Sequence, residues 1–435
     1  MKDIIFRPLA ASLFALACTS FSSAQTPDPE IPAASPIGTC IGLTGAMELA
    51  AANDPAVATS QARRREAKAG VDEANSLFRP QISGFARTGL GDVGLIDSAI
   101  QNQVGLSASQ RIIDFGDARL ARRAAALGVD ASDHDIRFAK QQAASSVSGT
   151  LLDILEAQEA IEFTAARQQY FRDQLDAIES VLDQGGSTIS ERAEVAAQLA
   201  NARSFLLDLK SRYERAQTIF EIETGAPANI CAGPIVEAEL KTLGVQIETV
   251  EASVERALLD APELKGLRAR ADSLAKQSER ERRARLPIIS VVGSVAYSSV
   301  GGGNFEVQER VGLDVSVPLY SGNAIGARSR RATARQAAAK SEVAERRREL
   351  EEEVRVSFRR ILSLEAQIIT SQDFEDRSKE LLEFAQIEYE AGTRTLPNLV
   401  DTRIEYEQAG LRRIGVKYEK LREQLRLLTI TGSLR

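Results

Sequence analysis

The chain has 435 residues and a formal net charge of −7 at neutral pH, with one histidine, three cysteines and no tryptophan. This acidic balance argues against a nucleic-acid-binding protein, which carries clustered basic charge. A composition rich in alanine, arginine, glutamate and leucine is typical of long helices.

The first 24 residues predict an export signal. Positive charge at Lys2 and Arg7 precedes a short apolar run over Leu9–Cys18, and small residues then allow cleavage before Gln25. A lipoprotein signal cut before Cys18 is the alternative, although alanine stands where such signals usually have leucine. No later segment reaches the roughly 18 uninterrupted apolar residues of a transmembrane helix. If the protein crosses a membrane, strands must do so.

The rest of the chain is an internal duplication. A shift of 207 residues superposes motifs that are far apart in each half. The matches are Pro55 with Pro262, Pro80 with Pro287, Val104-Gly105-Leu106 with Val311-Gly312-Leu313, and Thr224-Gly225 with Thr431-Gly432. We therefore predict a first structural repeat over 25–225, a linker at mid-height (an equatorial linker) over 226–245 and a second repeat over 246–435.

Each half reads in the same order of helix, strand, strand, long helix and return helix. The first half predicts a helix over Thr44–Phe78, strands over 80–88 and 103–113, a long helix over 117–184 and a helix over Ile189–Glu223. The second predicts a helix over Gln246–Arg285, strands over 287–297 and 311–320, a long helix over 324–390 and a helix over Asn398–Thr429.

The most regular strand is Val311–Tyr320, whose odd positions are apolar and whose even positions include Asp314 and Ser316. Strict alternation over ten residues predicts one apolar face and one polar face, at a length that crosses a bilayer as a tilted strand. Four strands cannot close a transmembrane barrel, and open edges are not tolerated in lipid. A membrane location therefore requires several chains to share one barrel, with Asp314 facing its lumen.

The long helices carry uncharged residues every seven positions. In the first, this seam runs from Val129 to Ile178; in the second, it runs from Val354 to Tyr389 with Glu375 as the exception. Heptad spacing predicts packing against partner helices along the whole length. At 1.5 Å per residue each helix spans roughly 100 Å, far more than a bilayer.

Two cysteines, Cys40 and Cys231, remain after signal removal. An even number in an exported chain favours a disulfide over two buried thiols. Laid end to end, the two shorter helices of a half match one long helix, and both cysteines fall beside their junction at mid-height. This placement favours the Cys40–Cys231 bridge.

No catalytic or metal-binding constellation is evident. The single histidine, His134, lies on a charged helical face, which predicts a solvated or packed side chain. The tract Gly89–Gly94 matches a dinucleotide-binding glycine pattern, but it joins two predicted strands and so indicates a hairpin loop. We expect no enzyme and no cofactor.

Several tracts together resemble the TolC family of outer-membrane channel proteins. Tyr389–Thr395, followed by a helix containing Asp401, resembles the family's second helical turn, and Gly185–Glu191 resembles the first. The tracts VGLSASQRIIDFGDAR and VGLDVSVPLYSGN are similar to its passages from strand to long helix. The resemblance covers essentially the whole mature chain.

The resemblance implies a mainly α-helical homotrimer with four transmembrane strands per chain in one shared barrel, continued by a periplasmic helical tunnel. It implies an outer-membrane exit channel that docks on a periplasmic adaptor and on an inner-membrane ABC or proton-driven transporter. By position, Tyr389, Arg394 and Glu191 would form the gate at the tunnel tip. Asp401 would be a pore-lining acid, with Asn398 where the family has a second one.

Three other protein classes remain as alternatives: a periplasmic adaptor, a trimeric coiled-coil adhesin, and a filamentous structural protein. The 207-residue duplication disfavours the first, two separated strand pairs disfavour the second, and the alternating strands disfavour the third. Between small-molecule efflux and type I protein secretion, the sequence leans only slightly towards secretion.

Overall fold

A computed structural model of the chain describes residues 40–93, 96–183, 186–243, 249–300 and 306–432. The predicted export signal, residues 1–24, and its possible lipidation site Cys18 lie outside the described residues, as does Gly185 of the first turn.

The described part of the chain contains nine helices and four strands. The first half comprises α1 (Leu43–Asn53), α2 (Pro55–Ser76), β1 (Gln81–Val93), β2 (Ile96–Ile113), α3 (Asp117–Leu182) and α4 (Ile189–Thr224). After α5 (Gly233–Thr242), the second half comprises α6 (Val250–Asp260), α7 (Pro262–Arg283), β3 (Ile288–Val300), β4 (Glu306–Ser316), α8 (Ala324–Glu390) and α9 (Leu396–Ile430). Helices α1, α2, α3 and α4 begin 207 residues before α6, α7, α8 and α9, and β1 begins 207 residues before β3.

The strands form one antiparallel sheet in the order β1-β2-β3-β4, so β1 and β4 are its edges. Register places Val311 opposite Gly293 and Leu313 opposite Val291, while Asp314 lies opposite Ser290. Alternation along each strand therefore gives the sheet one apolar and one polar face.

The strand bounds differ from the predicted ones. The predicted strand 311–320 is β4, which starts at Glu306 and ends at Ser316. Its early residues alternate too, but charged side chains obscure the pattern, and Pro318 cannot donate to a ladder and so follows the strand's end. Strands predicted at 80–88, 103–113 and 287–297 extend to 81–93, 96–113 and 288–300. Most of the predicted loop Gly89–Gly94 is strand, because pairing with β2 outweighs the low strand propensity of glycine.

Prolines also divide helices that the sequence predicts as continuous. The helix predicted over Thr44–Phe78 is two helices, because Pro55 starts α2 with Asp54 as its N-cap. Pro262 divides the helix predicted over Gln246–Arg285 in the same way. The predicted linker 226–245 contains α5, which has Pro234 in its first turn. The long helix predicted to reach residue 184 ends at Leu182.

Helices pack in one continuous arrangement around the two long ones. Between the sheet and the middle of the long helices, α3 contacts α2 and α7, and α7 contacts α8. Beyond the middle, α3 contacts α4 and α9, and α9 contacts α8. Much of the predicted seam is buried: every seventh residue of α3 from Ala143 to Ile178 is inside, whereas Val129 and Ile136 are half-buried. Among the described residues, no helix has both the length and the apolar character needed to cross a membrane.

A disulfide joins Cys40 to Cys231, which are 191 residues apart in sequence. Beside it, Ile41 and Ile230 form a parallel bridge. Cys231 belongs to a buried cluster that includes Leu151 and Leu155 from the middle of α3. The bridge therefore fastens the start of α1 to the segment before α5 at mid-height of the long helix.

Candidate functional site

The first helical turn, between α3 and α4, contains Glu191 in a capping box. The Glu191 backbone N–H donates to Thr188 Oγ1 at 3.1 Å, and the Thr188 N–H donates back to Glu191 Oε2 at 2.9 Å. The hydroxyl of Ser187 donates to the same carboxylate oxygen at 2.9 Å. The backbone hydrogen bond from Thr188, followed by that from Ser187, lowers the pKa of Glu191. Glu191 therefore closes its own helix N-terminus as an anion at neutral pH.

The second turn, between α8 and α9, depends on Gly392. Its φ of 73° is in the left-handed region, where a side chain would be strained. This conformation lets the N–H groups of Gly392 and Thr393 donate to the carbonyls of Tyr389 and Glu388, both at 2.9 Å. The last carbonyls of α8 are thereby satisfied, and the chain reverses within a few residues.

Arg394, predicted as a link-forming gate residue, is bound within its own turn. Its guanidinium donates to Thr402 Oγ1 at 2.8 Å and pairs with Glu388 at 3.1 Å. The side chain is only 23% exposed. Arg394 thus fastens the end of α8 to the second turn of α9, and it makes no hydrogen bond or ion pair with Glu191 among the described residues.

Tyr389, at the end of α8, is half-buried against a cluster that contains Phe171, Val195 and Leu396. This cluster joins α3, α4 and α9 behind the two turns. Burial raises the pKa of the Tyr389 hydroxyl, and the negative charge of Glu191 raises it further. Glu191 and Tyr389 are therefore close enough to interact electrostatically, whereas the polar contacts of Arg394 are made within its own turn and with α9.

Asp401, the predicted pore-lining acid, is exposed on α9 and makes no ion pair among the described residues. Asn398 and Glu405 are exposed one turn before and one turn after it. Residues three and four apart share a helix face, so Asp401 and Glu405 form an acidic surface of two carboxylates. Sequence reasoning missed Glu405, although its spacing of four from Asp401 was a usable signal.

A buried ionic cluster behind the turns was also missed. Glu407 on α9 is 4% exposed by side chain and lies between Arg403 at 2.9 Å and Arg167 of α3 at 3.0 Å. Burial raises the pKa of Glu407, while the two arginines act in the opposite direction. Charges this buried must be paired, so the cluster couples α3 to α9.

Glu375, the exception in the apolar seam of α8, has a similar explanation. It is 9% exposed and pairs with Arg413 of α9. Arg413 also approaches Glu159 of α3 at 3.5 Å. The acid in the seam was the signal that a basic partner faces it.

At the other end of the long helices, the sheet exposes its apolar face. Val311 is 85% exposed and Leu313 is 70% exposed, and Leu106 and Tyr297 on neighbouring strands are exposed as well. The opposite face carries hydroxyls, with Ser83 and Ser107 joined at 2.8 Å. An apolar surface of this kind requires a nonaqueous neighbour.

None of these features is arranged for catalysis. No group of three or more His, Cys, Asp or Glu residues in the described ranges is placed to hold a metal ion. His134 has a pKa lowered by burial and then by the charges of Arg137 and Lys265. Asp130 and Asp133 act in the opposite direction, and the buried Nδ1 of His134 has no hydrogen-bond partner among the described residues.

Comparisons with known proteins agree with this architecture. The family model described as "Outer membrane efflux protein" matches residues 46–219 and 253–433, one segment in each half. The chain is 25% identical over 340 residues to the alkaline protease secretion protein AprF of Pseudomonas aeruginosa, covering 76% of this chain and 69% of AprF. It is 23% identical to the outer membrane protein TolC of Vibrio cholerae, covering 88% of each. The structure of the outer membrane protein VceC of Vibrio cholerae matches with a TM-score of 0.77 and 17% identity, covering 90% of this chain and 96% of VceC.

Proposed function

The chain belongs to the outer membrane efflux protein family, and from this premise we propose how its exposed surfaces assemble and what the conduit carries. As a member of the family it is an outer-membrane channel of a Gram-negative bacterium, with a helical extension into the periplasm. It is a passive conduit and not an enzyme. The observation that carries this function is a sheet with one exposed apolar face, continued directly by two helices of 66 and 67 residues.

We propose that three copies close into one ring. Strands β1 and β4 are both unpaired edges, and an edge in lipid must find a partner. In the layer of helices, α4 and α8 lie at the outside, and each exposes apolar side chains. They include Leu207 and Ile222 on α4, and Leu362, Ile369, Phe384 and Ile387 on α8. The two edges of one chain differ, so each edge is covered by the other kind of edge on a neighbouring copy. Such head-to-tail contacts between copies close into a ring.

The two turns are the natural gate of such a ring. We propose that Glu191, Tyr389 and Arg394 hold the turns closed, and that Asp401 with Glu405 lines the entrance with negative charge. The supporting observations are the capping box of Glu191, its charge acting on Tyr389, and the link from Arg394 to Thr402. A periplasmic adaptor and an inner-membrane transporter would dock at this end and loosen these contacts. No nucleic-acid partner is proposed, and the apolar sheet face would contact outer-membrane lipid.

We propose protein secretion as the cargo class, with small-molecule efflux as the second candidate. AprF is named as an alkaline protease secretion protein, whereas the family model is named for efflux. Deleting this chain and measuring both secreted protease and drug tolerance separates the two. Loss of secretion with unchanged drug tolerance supports secretion, and the reverse result supports efflux.

The channel assignment itself is tested by two neighbouring residues of β4 that point to opposite faces. Val311→Arg places a charge on the apolar face, where lipid contact would cost about 2–4 kcal/mol. Gly312→Arg adds the same charge to the polar face, and no atom lies within 4 Å of the added Cβ. We expect Val311→Arg to abolish outer-membrane insertion and single-channel current in planar bilayers, and Gly312→Arg to retain both. Equal behaviour of the two variants would refute a lipid-facing sheet.

A further inference from the structure

A cavity of about 470 Å³ lies where the sheet passes into the long helices. Its wall comes from α2, α3, α7 and α8, so it opens on a face that all four helices share. Four arginines line it: Arg280 from α7 and Arg328, Arg331 and Arg335 from α8. We call this set the arginine pocket. Small residues of α2 and α3, among them Gly70 and Ala121, leave the space in front of the guanidinium groups.

The pocket carries uncompensated positive charge. Arg280 is paired with Asp117 at 2.8 Å, but Arg328, Arg331 and Arg335 make no ion pair within the described ranges. Only two carboxylates, Glu73 and Glu281, line the same cavity. Guanidinium groups that line one cavity repel one another, and a bound anion relieves this repulsion. Each guanidinium also offers several N–H donors and no acceptor, so it can hydrogen-bond to an anion.

The first turns of α8 are unusual in this acidic chain. From Ala324 to Ser341 the sequence has four arginines and one lysine but neither aspartate nor glutamate. Further along the same helix, arginines have acidic partners, as Arg346 has in Glu263, Glu349 and Glu353. The missing acids are therefore a local feature of the pocket and not a property of the whole helix.

Ion pairs connect the arginine pocket with one face of the sheet. Asp117, the partner of Arg280, also pairs with Arg111 at 3.4 Å. Arg111 lies opposite Ser290 in the sheet register, on the polar face. A chain of ion pairs from Arg280 through Asp117 to Arg111 therefore connects the pocket with the polar face of the sheet.

We propose that the arginine pocket is an anion-binding site in the wall of the conduit, directly below the sheet, for ligands that carry two or more closely spaced negative charges. This inference rests on the proposed function for its place inside a channel. The long helices separate it from the acidic surface of Asp401 and Glu405 at the turns. A polyanionic segment that has passed the turns would meet attraction at the exit end.

Inorganic tripolyphosphate is a suitable probe. Added on the barrel side of single channels in planar bilayers, it should block the current, and raising the ionic strength should weaken the block. The triple variant Arg328→Gln, Arg331→Gln, Arg335→Gln should raise the half-blocking concentration at least about tenfold, since even one charge-assisted hydrogen bond is worth that factor.

The matched control removes the same charge from exposed, unpaired arginines elsewhere on α8. Arg347→Gln, Arg348→Gln, Arg359→Gln should leave the half-blocking concentration unchanged. Block of equal strength in the pocket variant and the wild type overturns the proposal. So does unchanged block combined with loss of co-purified anionic phospholipid from the pocket variant, because the arginines would then face lipid.

Calorimetry separates this inference from the channel assignment. If the reconstituted wild type carries no current, the proposed function fails, and titration of tripolyphosphate into the detergent-solubilised protein decides the inference by itself. Binding by the wild type that is lost in the pocket variant supports the site. Absence of binding by the wild type overturns it.

Discussion

Removing the guanidinium of Arg394 tests whether the second turn holds the conduit closed. In Arg394→Ala the turn loses a hydrogen bond to Thr402 Oγ1, made at 2.8 Å by a side chain that is 23% exposed. A charge-assisted bond of this kind contributes about 1.5 kcal/mol. The pair with Glu388, whose side chain is 54% exposed, adds no more than about 0.5 kcal/mol, because solvent screens it.

The turn should therefore lose about 2 kcal/mol per chain, which is roughly a thirtyfold shift in a local closed-to-open equilibrium. We expect Arg394→Ala to raise the conductance of the resting channel in planar bilayers and to increase the fraction of time spent in larger-conductance states.

Arg377→Ala is the matched control. Arg377 is also near the end of α8, but its side chain is 73% exposed and its partners Asp373 and Glu380 lie on its own helix. Its removal should leave the resting conductance unchanged. A resting conductance for Arg394→Ala equal to that of the wild type would refute a gating role for this residue.

Three further predictions concern close packing, the disulfide and pH. Gly410→Ala would make the added methyl group overlap the outer edge of the Phe163 ring, whereas the Cβ added by Gly415→Ala has its nearest neighbour at 3.9 Å. We expect the first to lower the thermal unfolding temperature, at a cost of about 1–3 kcal/mol, and the second to leave it unchanged. Cys231→Ser opens a bridge between residues 191 apart and should cost about 5 kcal/mol; the same fall in unfolding temperature should appear when the wild type is reduced, and no fall in either sample would count against the bridge. The pKa of Glu191 is lowered by its capping hydrogen bonds, so its contribution is complete above the ordinary glutamate range and is lost as the pH falls through the lowered value; resting conductance should rise on acidification in the wild type and not in Glu191→Gln, and an identical pH profile would contradict the role.

The order of elements could be predicted because it depends on local signals. Alternation marks β4, and a seven-residue seam marks the buried face of α3. The helix starts at Pro55 and Pro262 were missed, because each proline lies inside a segment whose helical pattern continues on both sides. The duplication strengthened each prediction, because the same element is predicted at the equivalent position in both halves of the chain. Strand ends were less predictable, because the segment Gly89–Val93 becomes strand only through its partner β2.

The site was predictable in position but not in its contacts. Tyr389, Arg394 and Glu191 all lie at the turns, yet which of them touch depends on how two distant helices pack. Sequence spacing alone did not show that the Arg394 guanidinium would donate a hydrogen bond to Thr402. Glu407 was missed for the same reason: its partner Arg167 is on another helix, 240 positions earlier in the chain.

The central claim is that several copies of this chain close one barrel, and the number of chains tests it most directly. Native mass spectrometry of the detergent-extracted outer-membrane protein should give three copies in one complex, and the complex should dissociate on heating. A single chain, or a dimer that survives the same extraction, would leave β1 and β4 without the partners that the account requires and would contradict it.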